Sequence, residues 1–270
     1  MKSLSFSLVH EVQFRLLKSL DREGLLPVTP ANLDEALERL EQSLDRQAAE
    51  AHEQLVPAID RVWKDQIASI KADLREWLRR AAEDPDGWTP WRFELAFGLS
   101  EPGAERDPDS RAKPVKLDCG IQLRGSIDLV ERRAGGSLRA TDHKTGKARA
   151  APGLVVGGGQ HLQPALYALA LEKLFPGSEV ASGRLYYCTA AGGFEQRTVP
   201  LDERARAAAE ALARTLERAL GEAFLPAAPA KDACRWCDYL AVCGPYEELR
   251  TTRFKPQEAL EALKKLRELT

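Results

Sequence analysis

The sequence has no run approaching the roughly 20 apolar residues that a membrane-spanning helix needs. Its opening, Met1-Lys-Ser-Leu-Ser-Phe-Ser-Leu-Val9, has a charge and a short apolar stretch, but His10 and Glu11 interrupt it too early for a secretory leader. Charge of one sign is lacking too. With 39 basic and 41 acidic residues the formal net charge is -2, so no global positive field attracts a polyanion and any nucleic-acid binding must be local. Cysteine is scarce and odd in number, five in all, with three crowded into Cys234-x₂-Cys237-x₅-Cys243. That pattern argues against a secreted disulfide framework and for a metal or cluster site. A soluble, cytoplasmic protein is expected.

Two further absences matter. No strict heptad persists in the helical regions, which disfavours a coiled hairpin for partner binding. The Thr145-Gly-Lys147 stretch is not a nucleotide-binding Walker A loop, because position 141 is threonine where that motif needs glycine.

What is present reads as a helical first third and a mixed remainder. Leu8, Val9, Val12, Leu16, Leu17 and Leu20 form a helical stripe closed by Gly24. Thr29-Pro30 reads as an N-cap and first helical residue ahead of Leu33, Leu37, Leu40 and Leu44. Pro57 starts a second long helix carrying Trp63, Ile67, Ile70, Leu74 and Trp77, so residues 30–84 are expected to be an inserted helical lobe. After the turn Asp84-Pro-Asp-Gly87, Trp91, Phe93, Leu95, Phe97 and Leu99 alternate as a strand. Glu94, on its polar face, points either to a polar cleft or to solvent. Residues 100–114, rich in Pro, Asp, Ser, Glu and Arg, read as a mobile surface loop. Residues 159–174 form a helix with Gln163 and Tyr167 one turn apart. Strands at 180–189 and 194–199, an amphipathic helix from Ala205 to Leu220, the cysteine segment 226–248 and a charged helix at 256–268 complete the chain.

The chemistry concentrates in Gly125-Ser-Ile-Asp-Leu-Val-Glu131 and Leu138-Arg-Ala-Thr-Asp-His-Lys144. Read as a hairpin, the first strand puts Ile121, Leu123, Ile127 and Leu129 on one face and Arg124, Ser126 and Asp128 on the other. The second puts Asp142 and Lys144 side by side. Two carboxylates a few ångströms apart repel unless a cation lies between them, and a hard divalent ion prefers oxygen ligands. Asp128 and Asp142 could therefore hold Mg²⁺ or Mn²⁺, with Lys144 activating water or neutralising developing charge. Register is decisive, since a slip of one residue moves a side chain to the other face. A two-residue Gly135-Gly136 turn would turn Asp128 away from Asp142, so an odd-length loop or a bulge is expected, with both carboxylates in one cleft that also receives His10.

In order, these elements resemble the PD-(D/E)XK nuclease superfamily, specifically its RecB-like branch, which includes the nuclease domain of AddB-type helicase-nucleases and the CRISPR-adaptation exonucleases. The motifs are a helical histidine, Gly-x-Ile-Asp, Asp-x-Lys-Thr-Gly, Gln-x₃-Tyr and a terminal cysteine triplet. The resemblance implies a single α/β domain with a restriction-endonuclease-like mixed sheet flanked by helices. It implies metal ligands at His10, Asp128, Asp142 and the carbonyl of His143, catalysis by Asp128, Asp142 and Lys144, and DNA positioning by Gln163 and Tyr167. It also implies metal-dependent exonuclease action on single-stranded DNA ends in recombination, repair or phage and CRISPR-related processing, with a helicase or recombination partner. Cluster-bearing relatives hold a 4Fe-4S cluster with one upstream cysteine and three at the C-terminus. Here Cys234, Cys237 and Cys243 are the candidates for cluster or zinc, and the fourth ligand is either absent or a recruited Cys188, Cys119 being expected in the core. The competing class is a nuclease-fold module that binds DNA or a helicase without cutting, against which stands the retention of every catalytic residue type. A hydrolase of another phosphodiester is a third possibility.

Overall fold

The computed structural model describes residues 2–99, 105–223 and 226–269. Three long helices come first: α1 (Lys2–Arg22), α2 (Leu33–Leu55) and α3 (Asp60–Ala82). The second and third begin later than Thr29-Pro30 and Pro57 suggested. Asn32 takes the N-cap position of α2, and its side chain accepts a hydrogen bond from the Thr29 amide (2.7 Å) and donates to Leu25 O (3.0 Å), holding residues 29–32 as a turn ahead of the helix.

Five strands form the main sheet: β1 (Thr89–Phe97), β4 (Gly125–Arg132), β5 (Leu138–Lys144), β6 (Val180–Tyr187) and β7 (Gln196–Pro200). A small ribbon of β2 (Val115–Lys116) and β3 (Gln122–Leu123) stands apart. The spatial order is β1-β4-β5-β6-β7, antiparallel except for the parallel pair β5 and β6. That parallel pair needs a crossover, which helix α4 (Gln163–Leu174) supplies. Helix α5 (Glu203–Gly221) follows β7, and α6 (Leu240–Cys243), α7 (Glu247–Arg253) and α8 (Glu261–Glu268) end the chain. This is a restriction-endonuclease-like α/β fold.

Each face of the sheet buries its own core. On one side Leu16, Leu20, Leu40, Leu44, Leu74 and Leu78 of α1–α3 pack with Phe93, Leu129 and Tyr186. On the other, Leu166, Leu171 and Leu174 of α4 pack with Leu95, Ile127, Val130 and Leu138. The unbroken alternation expected along β1 and β4 is therefore not what is built. Phe93 and Leu129 face the α1–α3 layer, whereas Leu95 and Ile127, two residues along, face α4. The change falls at Glu94, which takes a left-handed backbone (φ 51°), rare for a residue with a side chain.

The described part of the 100–114 stretch is not a free loop. The Phe93 and Ala96 amides donate to Asp107 Oδ2 (3.2 Å) and Ser110 Oγ (3.0 Å), and Arg111 N donates to Ala96 O (2.8 Å). Its polar side chains thus cover the outer edge of the sheet, satisfying groups an edge strand leaves open.

Two devices lock the middle of the sheet. Gly183 on β6 lies so close to α4 that a Cβ there would stand 1.9 Å from Pro164 O, so only glycine permits this helix-to-strand approach. On the α1–α3 face, Glu131 is clasped by two arginines. Arg139 Nε and Nη2 each donate to it at 2.8 Å, Arg184 Nη2 donates at 2.8 and 3.0 Å, and Thr141 Oγ1 adds a bond of 2.5 Å. All four side chains are buried, and together they tie β4, β5 and β6. Burial would raise the Glu131 carboxyl, but the guanidiniums of Arg184 and Arg139 outweigh it and hold it at about 2.

Glu131→Gln should therefore destabilise the protein by about 3–5 kcal/mol at neutral pH, since it leaves buried guanidinium charge uncompensated. The folded carboxyl binds its proton more weakly than the ordinary 4.5, so its contribution is full above that pH and is lost as pH falls toward 2. Denaturant unfolding of both proteins across this window should show the gap narrowing with acid. A gap that is small or independent of pH would contradict the role given to this network.

Candidate active site

The hairpin that carries the acids has an odd loop. Residues 133–137 connect Arg132 to Leu138, Gly136 N donates to Arg133 O (2.9 Å), and Gly135 and Gly136 take φ of 95° and 91°. Paired residues run Leu129 with Thr141 and Glu131 with Arg139, so extending the register sets Asp128 level with Asp142. The even turn that would separate them does not occur.

Around this pair four elements deliver polar groups. His10 comes from α1 and its Nδ1 lies 3.5 Å from Asp128 Oδ2. The His143 amide donates to the same Asp128 oxygen at 2.7 Å, fixing the carboxylate from β5. Glu94 enters from the irregular point of β1 and accepts a bond from Ser126 Oγ (2.9 Å). One ligand atom from each of His10, Glu94 and Asp128 lies within 4.8 Å of the others. Asp142 is outside that group, and its Oδ2 is 2.7 Å from Lys144 Nζ.

Electrostatics bear on what this cluster can hold. Burial, then repulsion from Asp142 and Glu94, pushes the Asp128 carboxyl well above its ordinary value, against the pull of the His143 amide and Lys144. Burial likewise raises Glu94 and Asp142, the latter opposed by Lys144. Burial and the nearby Lys144 lower His10 to about 4, so its imidazole is neutral and able to ligate at physiological pH. Two carboxyls and a neutral imidazole in ligand range, with the acids held reluctant to ionise together, fit a hard divalent cation.

The remaining predicted residues divide. Tyr167 lies at the site: its hydroxyl would be 3.2 Å from a Cβ on Gly125, its ring meets Phe97 edge-on at 6.1 Å, and burial plus Asp142, Asp128 and Glu94 push its hydroxyl upward. It stays a hydrogen-bond donor. Gln163 is the first residue of α4, half-buried, placed by the glycine-permitted contact at Pro164. The ring of His143 turns away from the acids, between Trp77 (5.8 Å) and Tyr186 (5.9 Å), and burial, then His10, lowers it to about 3.

The cysteines behave differently. Among the described residues, the sulfurs of Cys234, Cys237 and Cys243 do not gather into a ligand group. Cys188 is fully buried in the α1–α3 core, its Sγ donates to Lys144 O (3.6 Å), burial pushes its thiol up to about 12, and among the described residues it joins no ligand group with the other cysteines. Cys119 packs against the α4-side core, as expected.

Sequence reasoning left Glu94 undecided and missed the Glu131–Arg139–Arg184 clasp. Alternation had put Glu94 on the polar face of its strand, and that was the only local signal for it. In the clasp, Glu131 and Arg139 face each other across the same hairpin, and only Arg184, on β6, comes from a distant part of the chain.

Fold and site together define an α/β protein with an acid-lysine centre suited to a divalent cation. The family model of the PD-(D/E)XK nuclease superfamily matches residues 7–244, and the chain belongs to that superfamily, whose members are metal-dependent hydrolases of nucleic acid. No individual curated protein gives a significant match. No described helix is long and apolar enough to cross a membrane.

A cation should be visible thermodynamically without turnover. Adding Mn²⁺ or Mg²⁺ to chelator-treated protein should raise its melting temperature, by the equivalent of about 2.7 kcal/mol at a hundred times the dissociation constant. Asp128→Asn should abolish that response. It should also stabilise the metal-free protein at neutral pH, because a carboxyl whose folded pKa is raised costs stability at any pH above its ordinary, unfolded value of 3.8. Calorimetry with and without chelator checks both signs, and a full cation response in the variant would contradict the ligand assignment.

Proposed function

We infer that the chain is a Mg²⁺- or Mn²⁺-dependent deoxyribonuclease of the RecB-like branch, acting as an exonuclease on single-stranded ends in recombination, repair or phage and CRISPR-related DNA processing beside a helicase or recombination partner. The observation that carries this reading is the convergence of Asp128, Glu94 and His10 on one point next to the Asp142–Lys144 pair. His10, Asp128, Asp142 and Glu94 would hold the ion, together with the carbonyl of His143. When bound, it would act as a Lewis acid on the scissile phosphate and lower the pKa of the attacking water.

The side chains of the protein do the rest. Lys144 orients the water for in-line attack on phosphorus and offsets negative charge as it develops, while Asp142, 2.7 Å away, keeps the ammonium in place. The His143 amide prevents Asp128 from rotating out of the cleft. Tyr167, protonated throughout, donates to a phosphate oxygen, and Gln163, one turn earlier, contacts the strand. Helices α2 and α3, within residues 30–84, act as a lobe that confines the strand, all in one nuclease domain.

Asp142→Ala and Lys144→Ala should each lower metal-dependent cleavage of end-labelled single-stranded DNA by at least a hundredfold, on the order of 3 kcal/mol of transition-state stabilisation. Oligonucleotide binding should survive in both. Wild-type cleavage rates in either purified variant would remove the basis of the assignment, and binding without cutting by the wild-type protein would establish the silent module instead.

A further inference from the structure

The cleft at the candidate metal ligands continues beyond them. From His10, Glu94 and Ser126 it runs along α1 past Phe14 to Arg15 and Glu105, enclosing about 570 Å³. That is the size of pocket that takes a drug-sized molecule, hence about one or two nucleotides of a single strand.

Arg15 and Arg106 line this cleft, and from Arg15 a row of cations continues beyond it along α1. At about 1.5 Å per residue, Arg15 lies about 7 Å, Lys18 about 12 Å and Arg22 about 18 Å along α1 from His10. All three converge on Glu105. Lys18 Nζ donates to its Oε1, Arg15 Nη1 is 3.5 Å from Oε2, and Arg22 Nη2 is 4.0 Å from Oε1. Arg15 also holds Glu11 at 2.5 Å. Three cations thus share two carboxylates, and the hydrogen bond from Lys18 holds the Glu105 carboxyl below the usual carboxylate range. The side chains are 25–68% exposed, so these pairs contribute little to stability and the fold does not need them. Fanned cations around one oxygen-rich anion, leading out of a cleft that begins at His10 and Glu94, match what a chain of phosphates requires.

Building on the nuclease reading, we propose that Arg15, Lys18 and Arg22 form a subsite for the backbone phosphates of a single DNA strand whose scissile phosphate lies at His10, Glu94 and Asp128. Glu105 occupies the subsite in place of a phosphate until the strand displaces it. The carboxylate is a placeholder: it keeps the cations extended and aligned, and it weakens every encounter that cannot displace it. The strand runs along α1 from the acids toward the C-terminal end of the helix.

Fluorescence anisotropy of a labelled single-stranded oligonucleotide, titrated with salt in Ca²⁺, tests this. Each phosphate contact on a single strand contributes about 0.7 to the slope of log affinity against log salt, so the double variant Arg15→Gln, Lys18→Gln should bind with a slope shallower by about 1.4. Glu105→Gln should do the opposite, tightening binding several-fold at low salt and steepening the slope. A wild-type slope in the double variant, or unchanged or weaker binding in Glu105→Gln, overturns the subsite. Cleavage of the same oligonucleotide by the wild-type protein in Mn²⁺ separates the two readings. If it is cut while the variants fail these expectations, the subsite alone is wrong. If it is neither bound nor cut, the nuclease reading falls with it.

Discussion

Mutual repulsion among Glu94, Asp128 and Asp142, held together where water cannot screen them, is the constraint around which this structure is arranged. Left alone such acids would protonate or separate. Separation is prevented because each is held, Glu94 by Ser126 of β4, Asp128 by the His143 amide of β5 and Asp142 by Lys144 of its own strand, and the repulsion shows instead as carboxyls raised above their ordinary values. The energy that holds them comes from the two cores on either side of the sheet. A divalent cation turns the same repulsion into coordination, which is why the cluster reads as a metal centre and not as a chance acidic patch.

The supports of that cluster lie away from it. The Glu131 clasp fixes the α1–α3 face of β4, β5 and β6, so that Asp142 and Lys144, on the opposite face of β5, start from a rigid strand. Gly183 lets α4, which carries Tyr167 to Gly125, approach β6 closely. Glu94 adopts a backbone conformation that costs of order 1–3 kcal/mol, and in doing so turns β1 from one core to the other. Strain of this kind persists where the surroundings over-determine it, and here it coincides with a group in ligand range of Asp128.

Charge is distributed as the near-zero net value demands. With no global positive field, attraction of a polyanion falls to a local arrangement. The cations of α1 provide one, and they are balanced by neighbouring carboxylates. Such balance keeps the protein from binding anions indiscriminately, at the cost of affinity for the right one.

The sequence by itself determined where the strands of the hairpin lie, the helical stripe of α1, the Asp142–Lys144 pair and the need for an odd hairpin loop, because each rests on a local periodicity of two or 3.6 residues that side-chain direction makes readable. Motif order was enough to mark the superfamily. Only the tertiary structure decided that Glu94 joins the site, that Leu95 and Ile127 change faces, that Cys188 is sealed in a core, and that residues 105–111 cover the edge of the sheet. Arg184 joining Glu131 from β6, and Arg15, Lys18 and Arg22 meeting on Glu105, were equally out of reach. These outcomes depend on contacts between segments distant in the chain and on one left-handed backbone at a residue without glycine's freedom, and no short-range pattern encodes either.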